Sequence, residues 1–323
     1  MSDWVPDVLG SDYSQRTLDL GPDPDGESPI VATLIRLDSA AGGARGAVLY
    51  IHGYTDYFFQ TELAQRFADQ GFAFYALDLR KCGRSLRPGH TEHYTTDLAS
   101  YDTELNWALQ VVRAQQGHQR VVVAAHSTGG IIAPLWLDRL RDKELPGADG
   151  LVLNSPWFDL QGPAYYRHVG TMGIDLVGRV QGMRLLATED ADAYGVSLHA
   201  ASKGEWDYNL DWKPLQGFPI RLGWMRAIRR GHAQLHRGLD VGCPSLVLRS
   251  TRTKFATRYT PDIDTADAIL DVRQIARWAG CLGGRLNVVP IEGARHDVFL
   301  SRKPVRERAY AELAAWLDVT VPS

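Results

Sequence analysis

The stretch Val121-Val122-Val123-Ala124-Ala125-His126-Ser127-Thr128-Gly129-Gly130 most constrains the fold of this chain. Three valines and two alanines make a continuous apolar run of strand length, which suits a strand buried on both faces. The run stops at a serine and two glycines. Ile131, Ile132, Leu135, Trp136 and Leu140 then recur at helical spacing, so the serine lies where a strand hands over to a helix. A sharp turn at such a junction lifts the hydroxyl out of the sheet and turns the following N–H groups toward whatever the oxygen attacks.

Small residues are needed on both sides of that turn because strand and helix close around it. Here they are Ala125 and Gly129, with alanine at the first position, where glycine is usual. A lone S-x-G is a weak signal, since a serine in a strand-to-helix loop is more often a helix cap. The serine must therefore be judged by its partners.

The chain around it alternates strands with helices. Residues 15–20 suit an edge strand, 31–37 a half-buried one, and 47–51 and 72–77 two central strands. Tyr101, Leu105, Ala108, Leu109 and Val112 fall on one face of a long amphipathic helix. Strand patterns return at 151–154, 245–248 and 286–290, and Ala309, Leu313, Trp316 and Leu317 mark a final helix. Such alternation predicts an α/β fold with a mostly parallel sheet covered on both faces. It breaks between 157 and 239, where aromatic and arginine residues replace strand patterns. The expected organisation is a core of residues 1–156 and 240–323 with a helical cap, 157–239, inserted over the carboxyl ends of the strands.

A nucleophilic serine needs an imidazole to accept its proton and an acid to fix that imidazole's tautomer. After the last strand comes Ile291-Glu292-Gly293-Ala294-Arg295-His296-Asp297, and after the preceding strand comes Thr265-Ala266-Asp267-Ala268-Ile269-Leu270-Asp271. The order serine, acid, histidine, each in a loop after a strand, suits an elbow nucleophile.

Four stretches in sequence order, His52-Gly53, Asp78 through Ser85, the serine turn, and Gly293-Ala294-Arg295-His296-Asp297, resemble the α/β-hydrolase superfamily. More narrowly, they resemble the serine hydrolases grouped with monoacylglycerol lipases, lysophospholipases and S33-type serine peptidases. The resemblance covers nearly the whole chain. It implies Ser127 as nucleophile, His296 as general base and then acid, Asp267 as the orienting carboxylate, and the backbone N–H groups of Tyr54 and Thr128 as the oxyanion hole. The chain departs from the family pattern at Ala125, at Lys81-Cys82-Gly83, where Arg-Gly-x-Gly is usual, and in an extended polar stretch, 250–265, ahead of the acid. Asp262, Asp264 and Asp271 therefore rival Asp267, which is preferred because Ala-Asp followed four residues later by Asp271 resembles the family spacing.

The remaining candidates are weighed against plainer roles. His126, beside the nucleophile, is expected to form a wall of the site. Trp157, Tyr165, Trp206 and Trp224 are candidates for the substrate pocket, although aromatics on short helices more often pack than bind. The run Arg221, Arg226, Arg229, Arg230 and Arg237 suits a solvated helix face, or a transient contact of the cap with a membrane surface. His90/His93 and His232/His236 have spacings a metal accepts but lack a third ligand nearby, so no metal and no cofactor are expected. Net charge −3 gives no pull toward nucleic acid. The amino-terminal residues lack a basic and an apolar signal region, and no apolar run spans a bilayer, so a cytoplasmic location is expected.

The expected activity is hydrolysis of a small carboxylic ester with an apolar acyl group. Amide or aminopeptide cleavage and acyl transfer are alternatives on the same residues, and a non-catalytic receptor is an alternative of another class. Epoxide or haloalkane hydrolysis on this fold would need a carboxylate where Ser127 stands.

Overall fold

The computed structural model describes residues 3–161, 174–175, 177–186 and 191–322. Nine strands form one sheet: β1 Val5–Asp7, β2 Gly10–Gly21, β3 Ile30–Leu37, β4 Gly46–Ile51, β5 Phe72–Asp78, β6 Val121–His126, β7 Gly150–Asn154, β8 Ser245–Ser250 and β9 Leu286–Ile291. Their order across the sheet is β1-β2-β3-β5-β4-β6-β7-β8-β9. From β5 through β9 every pair is parallel, whereas β1, β2 and β3 join by antiparallel pairing.

Alternation along each strand explains the two cores. Val48 and Tyr50 of β4, Phe74 of β5 and Val122 of β6 face helices α1 (Thr61–Asp69) and the carboxyl-terminal Lys303–Thr320, where Phe67, Leu313 and Trp316 meet them. Leu49, Tyr75 and Val123 point the other way, onto Asp102–Gln110 (α2) and Gly129–Asp142 (α3), which supply Leu105 and Trp136. Every residue of β4, β5, β6 and β7 is buried, which accounts for their uninterrupted apolar sequences. Truncating one of the aromatic core side chains to alanine typically costs about 3–5 kcal/mol.

The edge differs from expectation. The strand expected at 15–20 extends over Gly10–Gly21 and lies second in the sheet, with β1 outside it. β1 is three residues long and mostly exposed, too short to show an alternation in sequence. The helix expected around Tyr101 to Val112 is composite: Tyr101 closes a 3-10 turn, α2 follows, and a π-type turn, Val111–Gln115, ends it.

The sheet has a topological switch at β4. The chain leaves β4 for β5 on one side, then crosses to β6 on the other, so the loops leaving β4 and β6 diverge and open a crevice at the carboxyl ends of the strands. Between β7 and β8 the described residues include helices α4 (Ala193–Leu198) and α5 (Leu222–Leu235), separated by turns and isolated bridges. Val272–Trp278 (α6) follows β8, so the carboxyl-terminal helix is α7. None of the helices among the described residues is long and apolar enough to cross a membrane.

Candidate active site

Ser127 follows β6 directly and has φ +53°, a left-handed conformation that L-residues adopt only when the surroundings hold it. Three backbone bonds hold it here. Ser127 N–H donates to Asn154 O at 3.0 Å, and Ser127 O accepts from Gly130 N at 2.9 Å and Trp157 N at 3.0 Å. The need for small residues is visible in the neighbours: a Cβ on Gly129 would lie 2.5 Å from His52 O, and one on Gly130 2.5 Å from Pro156 Cβ. Ala125 sits inside β6, paired with Ile51 and Leu153, where a methyl is accommodated in the core.

The side chains named from the sequence converge on this turn. Ser127 Oγ lies 2.9 Å from His296 Nε2, and His296 Nδ1 lies 3.0 Å from Asp267 Oδ2. All three residues are buried. An acid beside Nδ1 favours the tautomer with its proton there and leaves the Nε2 lone pair facing the serine. Asp267 is fixed in turn, because its Oδ1 accepts Ile269 N–H at 2.9 Å and Leu270 N–H at 2.7 Å.

The three rival acids lie elsewhere. Asp271 caps α6 by accepting Arg273 N–H and pairs with that guanidinium. Asp264 binds the buried Arg295 at 2.5 Å and Arg302 at 2.8 Å. Burial opposes ionisation of Asp264, yet those arginines hold its carboxyl below the usual range. The Asp262 carboxylate pairs with Lys254, at 3.6 Å on the surface.

The polar stretch before the acid has a physical role in this arrangement. Asp267 N–H donates to Arg252 O and Lys254 N–H to Asp267 O, so residues 252–254 lie alongside the acid in a parallel bridge. Asp264 pins the far end of the excursion to Arg295, next to His296.

The backbone N–H groups expected to form an oxyanion hole are those of Tyr54, after β4, and Thr128, after Ser127. Neither has a hydrogen-bond partner among the described residues. His52 shapes the first loop: its Nε2 accepts Leu79 N–H at 3.1 Å and its Nδ1–H donates to Gly53 O at 2.8 Å. Asp78 shapes the next, accepting from Phe58 N, Arg84 N and the Arg84 guanidinium. Lys81 takes φ +60° and buries its ammonium against Asp23 at 2.6 Å and Glu27 at 3.0 Å.

His52, Cys82 and His93 bring donor atoms within 4.8 Å of one another. Both nitrogens of His52 are already bonded to backbone, and burial raises the Cys82 thiol well above its ordinary pKa, so the cluster suits packing rather than ligation.

A cavity of about 880 Å³ opens over Ser127 and His296. His126, Trp157 and Trp224 line it. Trp206 does not: its indole N–H donates to Leu300 O at 3.1 Å, and it packs beside Tyr57, Phe59 and Tyr208. The local sequence around Trp206 carries no sign of this, because the partner carbonyl is 94 residues away. Tyr165 lies outside the described residues. Sequence reasoning missed Tyr194, whose ring stands edge-on 5.5 Å from His296, and Lys213, which also lines the cavity. The arginine run is largely spent inside its own segment: Arg229 binds buried Asp159 at 2.7 Å, Arg226 binds Asp175, and Arg221 donates to Met183 O.

A parallel sheet with a serine elbow at its switch point, an acid and a histidine on later loops, and a cavity above them defines an α/β-hydrolase. The family described as "Serine aminopeptidase, S33" matches residues 42–301. The chain belongs to that family and is a serine hydrolase by class.

Among solved structures, a soluble variant of monoglyceride lipase from Saccharomyces cerevisiae, bound to a substrate analog, is 17% identical with a TM-score of 0.68, covering 98% of this chain and 99% of that one. Monoacylglycerol lipase of Paleococcus ferrophilus is 16% identical with a TM-score of 0.64, over 95% and 99%. At these identities the likeness concerns the fold. Epoxide hydrolase 4 of Mus musculus is 30% identical over 105 residues, 32% of this chain and 27% of that protein. That match therefore spans about a quarter of the relative's own length.

Proposed function

We propose that the protein is a cofactor-independent carboxylic ester hydrolase acting through Ser127, His296 and Asp267, with residues 157–239 as a lid over a core of 1–156 and 240–323. One observation carries the reading: the hydrogen-bonded chain Ser127 Oγ, His296 Nε2, His296 Nδ1, Asp267 Oδ2, at 2.9 and 3.0 Å, beneath the cavity.

In this reading Ser127 Oγ attacks the acyl carbonyl as its proton passes to His296 Nε2. The tetrahedral oxyanion rests against the N–H groups of Tyr54 and Thr128, each worth on the order of 3 kcal/mol in the transition state. His296 then protonates the departing alcohol. Water repeats the sequence on the acyl-enzyme, releasing the acid and restoring the serine.

The wall supports an ester over an aminopeptide substrate. Among the described residues it is built from aromatic and aliphatic side chains such as Trp157, Leu160, Trp224, Met225 and Ile269, and its charged member, Lys213, is a cation. Such a surface suits an apolar acyl group, and among the described residues it offers no carboxylate to a protonated α-amine. Ser127 in place of a carboxylate also separates the chain from epoxide chemistry.

The test is hydrolysis of p-nitrophenyl esters from acetate to palmitate, beside alanine p-nitroanilide, by the wild type and Ser127→Ala. Serine-dependent ester turnover is expected, and its chain-length profile reports the depth of the cavity. Faster cleavage of the anilide would replace this reading with an aminopeptidase. Absence of turnover, together with failure of a fluorophosphonate to label Ser127, would overturn it in favour of a receptor.

A further inference from the structure

The turn that carries the Tyr54 N–H is fastened to the segment between β7 and β8 by an uncommon density of polar contacts. Tyr54 Oη donates to Pro219 O at 2.9 Å, Phe218 N–H donates to Thr55 Oγ1 at 2.9 Å, and Asn209 N–H donates to Tyr57 Oη at 2.7 Å. Lys213 Nζ donates to Thr55 O at 3.2 Å and pairs with Asp56 Oδ1 at 2.9 Å. Every residue from 54 to 57 is thus held from above.

Thr55 needs such holding. It has φ +50°, a left-handed conformation that a β-branched residue avoids, and it follows directly on Tyr54, whose N–H is carried by the preceding Gly53–Tyr54 peptide bond. The central fastener is Lys213, which is 6% exposed. Its ammonium lies 5.8 Å from the ring centres of Phe59 and Tyr208 and 6.0 Å from that of Tyr194, a cage that favours a compact cation at one point.

Asp56 extends the connection to the second donor. Its Oδ1 meets Lys213 and its Oδ2 lies 3.2 Å from His126 Nδ1, one residue before the nucleophile and two before Thr128. One buried carboxylate therefore ties the loop of the Tyr54 donor to the loop of the Thr128 donor. Burial alone would push the Asp56 carboxyl up, but Lys213 and the bond to His126 outweigh it and hold the group well below the usual range.

We propose that Lys213 is a positioning residue for the hydrolysis. By bonding Thr55 O and Asp56 together, it holds the Tyr54 N–H where the oxyanion forms, so the lid sets the rate of the chemistry as well as covering the substrate. The proposal rests on the ester-hydrolase reading above.

The test compares Lys213→Met with the double variant Asp56→Asn/Lys213→Met, which removes the buried charge that the single variant leaves uncompensated. Displacing a catalytic donor by about 1 Å costs on the order of 100-fold in rate. A loss of about that size in kcat is therefore expected in both variants for p-nitrophenyl butyrate, with KM within about threefold of wild type. Inhibition by the matching trifluoromethyl ketone, which forms the tetrahedral adduct, is expected to weaken with kcat, while binding of the unreactive methyl ketone is unchanged.

Recovery of kcat in the double variant would reduce the effect to charge imbalance and overturn the proposal, as would a single variant as fast as wild type. Amide hydrogen exchange over residues 53–58 gives an answer that does not depend on turnover. Faster exchange there in Lys213→Met is expected, and unchanged exchange refutes the positioning role even if the wild type hydrolyses no ester.

Discussion

Replacing Asp267 by Asn is expected to abolish the base at Ser127 while leaving the fold in place, and the geometry says why. Asp267 Oδ1 accepts two backbone N–H groups, from Ile269 and Leu270, while Oδ2 faces His296 Nδ1. An asparagine has one acceptor oxygen and one donor nitrogen for these places. Turned with its nitrogen toward the backbone, it orphans two buried N–H groups at about 1–3 kcal/mol each.

Turned with its oxygen there, it loses only the histidine bond, so this orientation wins. The amide N–H then faces His296 Nδ1, which must become an acceptor, and the ring proton moves to Nε2. In that tautomer the imidazole donates to Ser127 and no longer takes its proton. An acid-to-amide exchange in a Ser-His-Asp triad costs about 10⁴-fold in kcat, equivalent to about 5.5 kcal/mol.

The assay is steady-state p-nitrophenyl butyrate hydrolysis near neutral pH, with melting temperature measured on the same preparations. Asp271→Asn and Asp262→Asn serve as controls. Asp271 caps a helix and Asp262 pairs at the surface, so their effects are expected to stay within about threefold, corresponding to roughly 0.65 kcal/mol. Retention of kcat within about tenfold of wild type in Asp267→Asn would refute the assignment, as would an equal loss in Asp271→Asn.

Two further outcomes follow from local geometry. Gly53→Ala would place a Cβ 2.9 Å from Ser127 Cβ, closer than real side chains pack. Ser127 must shift, and kcat is expected to fall by about tenfold or more, with wild-type turnover as the contrary result. His232 is buried and neutral, donating from Nε2 to Trp157 O at 2.8 Å and accepting Arg229 at Nδ1 at 3.0 Å. Burial first, and Arg229 second, push its pKa down to about 3.

The unfolded chain therefore binds this proton before the folded one does, and the stability contribution is complete above about pH 6.5. It is lost as pH falls toward 3, by up to about 1.4 kcal/mol per pH unit. Urea unfolding from neutral to pH 4 is expected to show a shallower loss for His232→Gln than for wild type, and parallel curves would contradict this account.

Much of the proposed catalytic framework was readable because its signals are local. The valine run of β6 and the small residues around Ser127 fall within ten residues of the chain, although the atoms that crowd Gly129 and Gly130, His52 O and Pro156 Cβ, come from other loops, and continuous apolar strands record burial on both faces. β1 and β2 were harder to read. β1 is three residues long and mostly exposed, and β2 is largely polar and half-buried, so alternation is faint and it is the pairing of β1 with β2 and of β2 with β3 that makes them strands.

Among the aspartates the sequence offered four positions and a preference. Composition and spacing could not separate them, since the distinction is which carboxylate a 250–265 excursion brings beside His296. Trp206 illustrates the same limit: an indole serves a pocket or a core according to what the fold sets against it, and here that is Leu300 O.

The sequence by itself determined a strand-turn-helix around Ser127, a parallel sheet to carry it, and a histidine on a later loop, because each depends on side-chain size and periodicity along a short segment. The tertiary structure alone decided that Asp267 meets His296, and that Lys213 reaches Thr55 and Asp56 from 158 and 157 residues away. The physical reason is that an ion pair or hydrogen bond depends on separation in space, and the path of the chain between its partners leaves no periodic trace in the sequence.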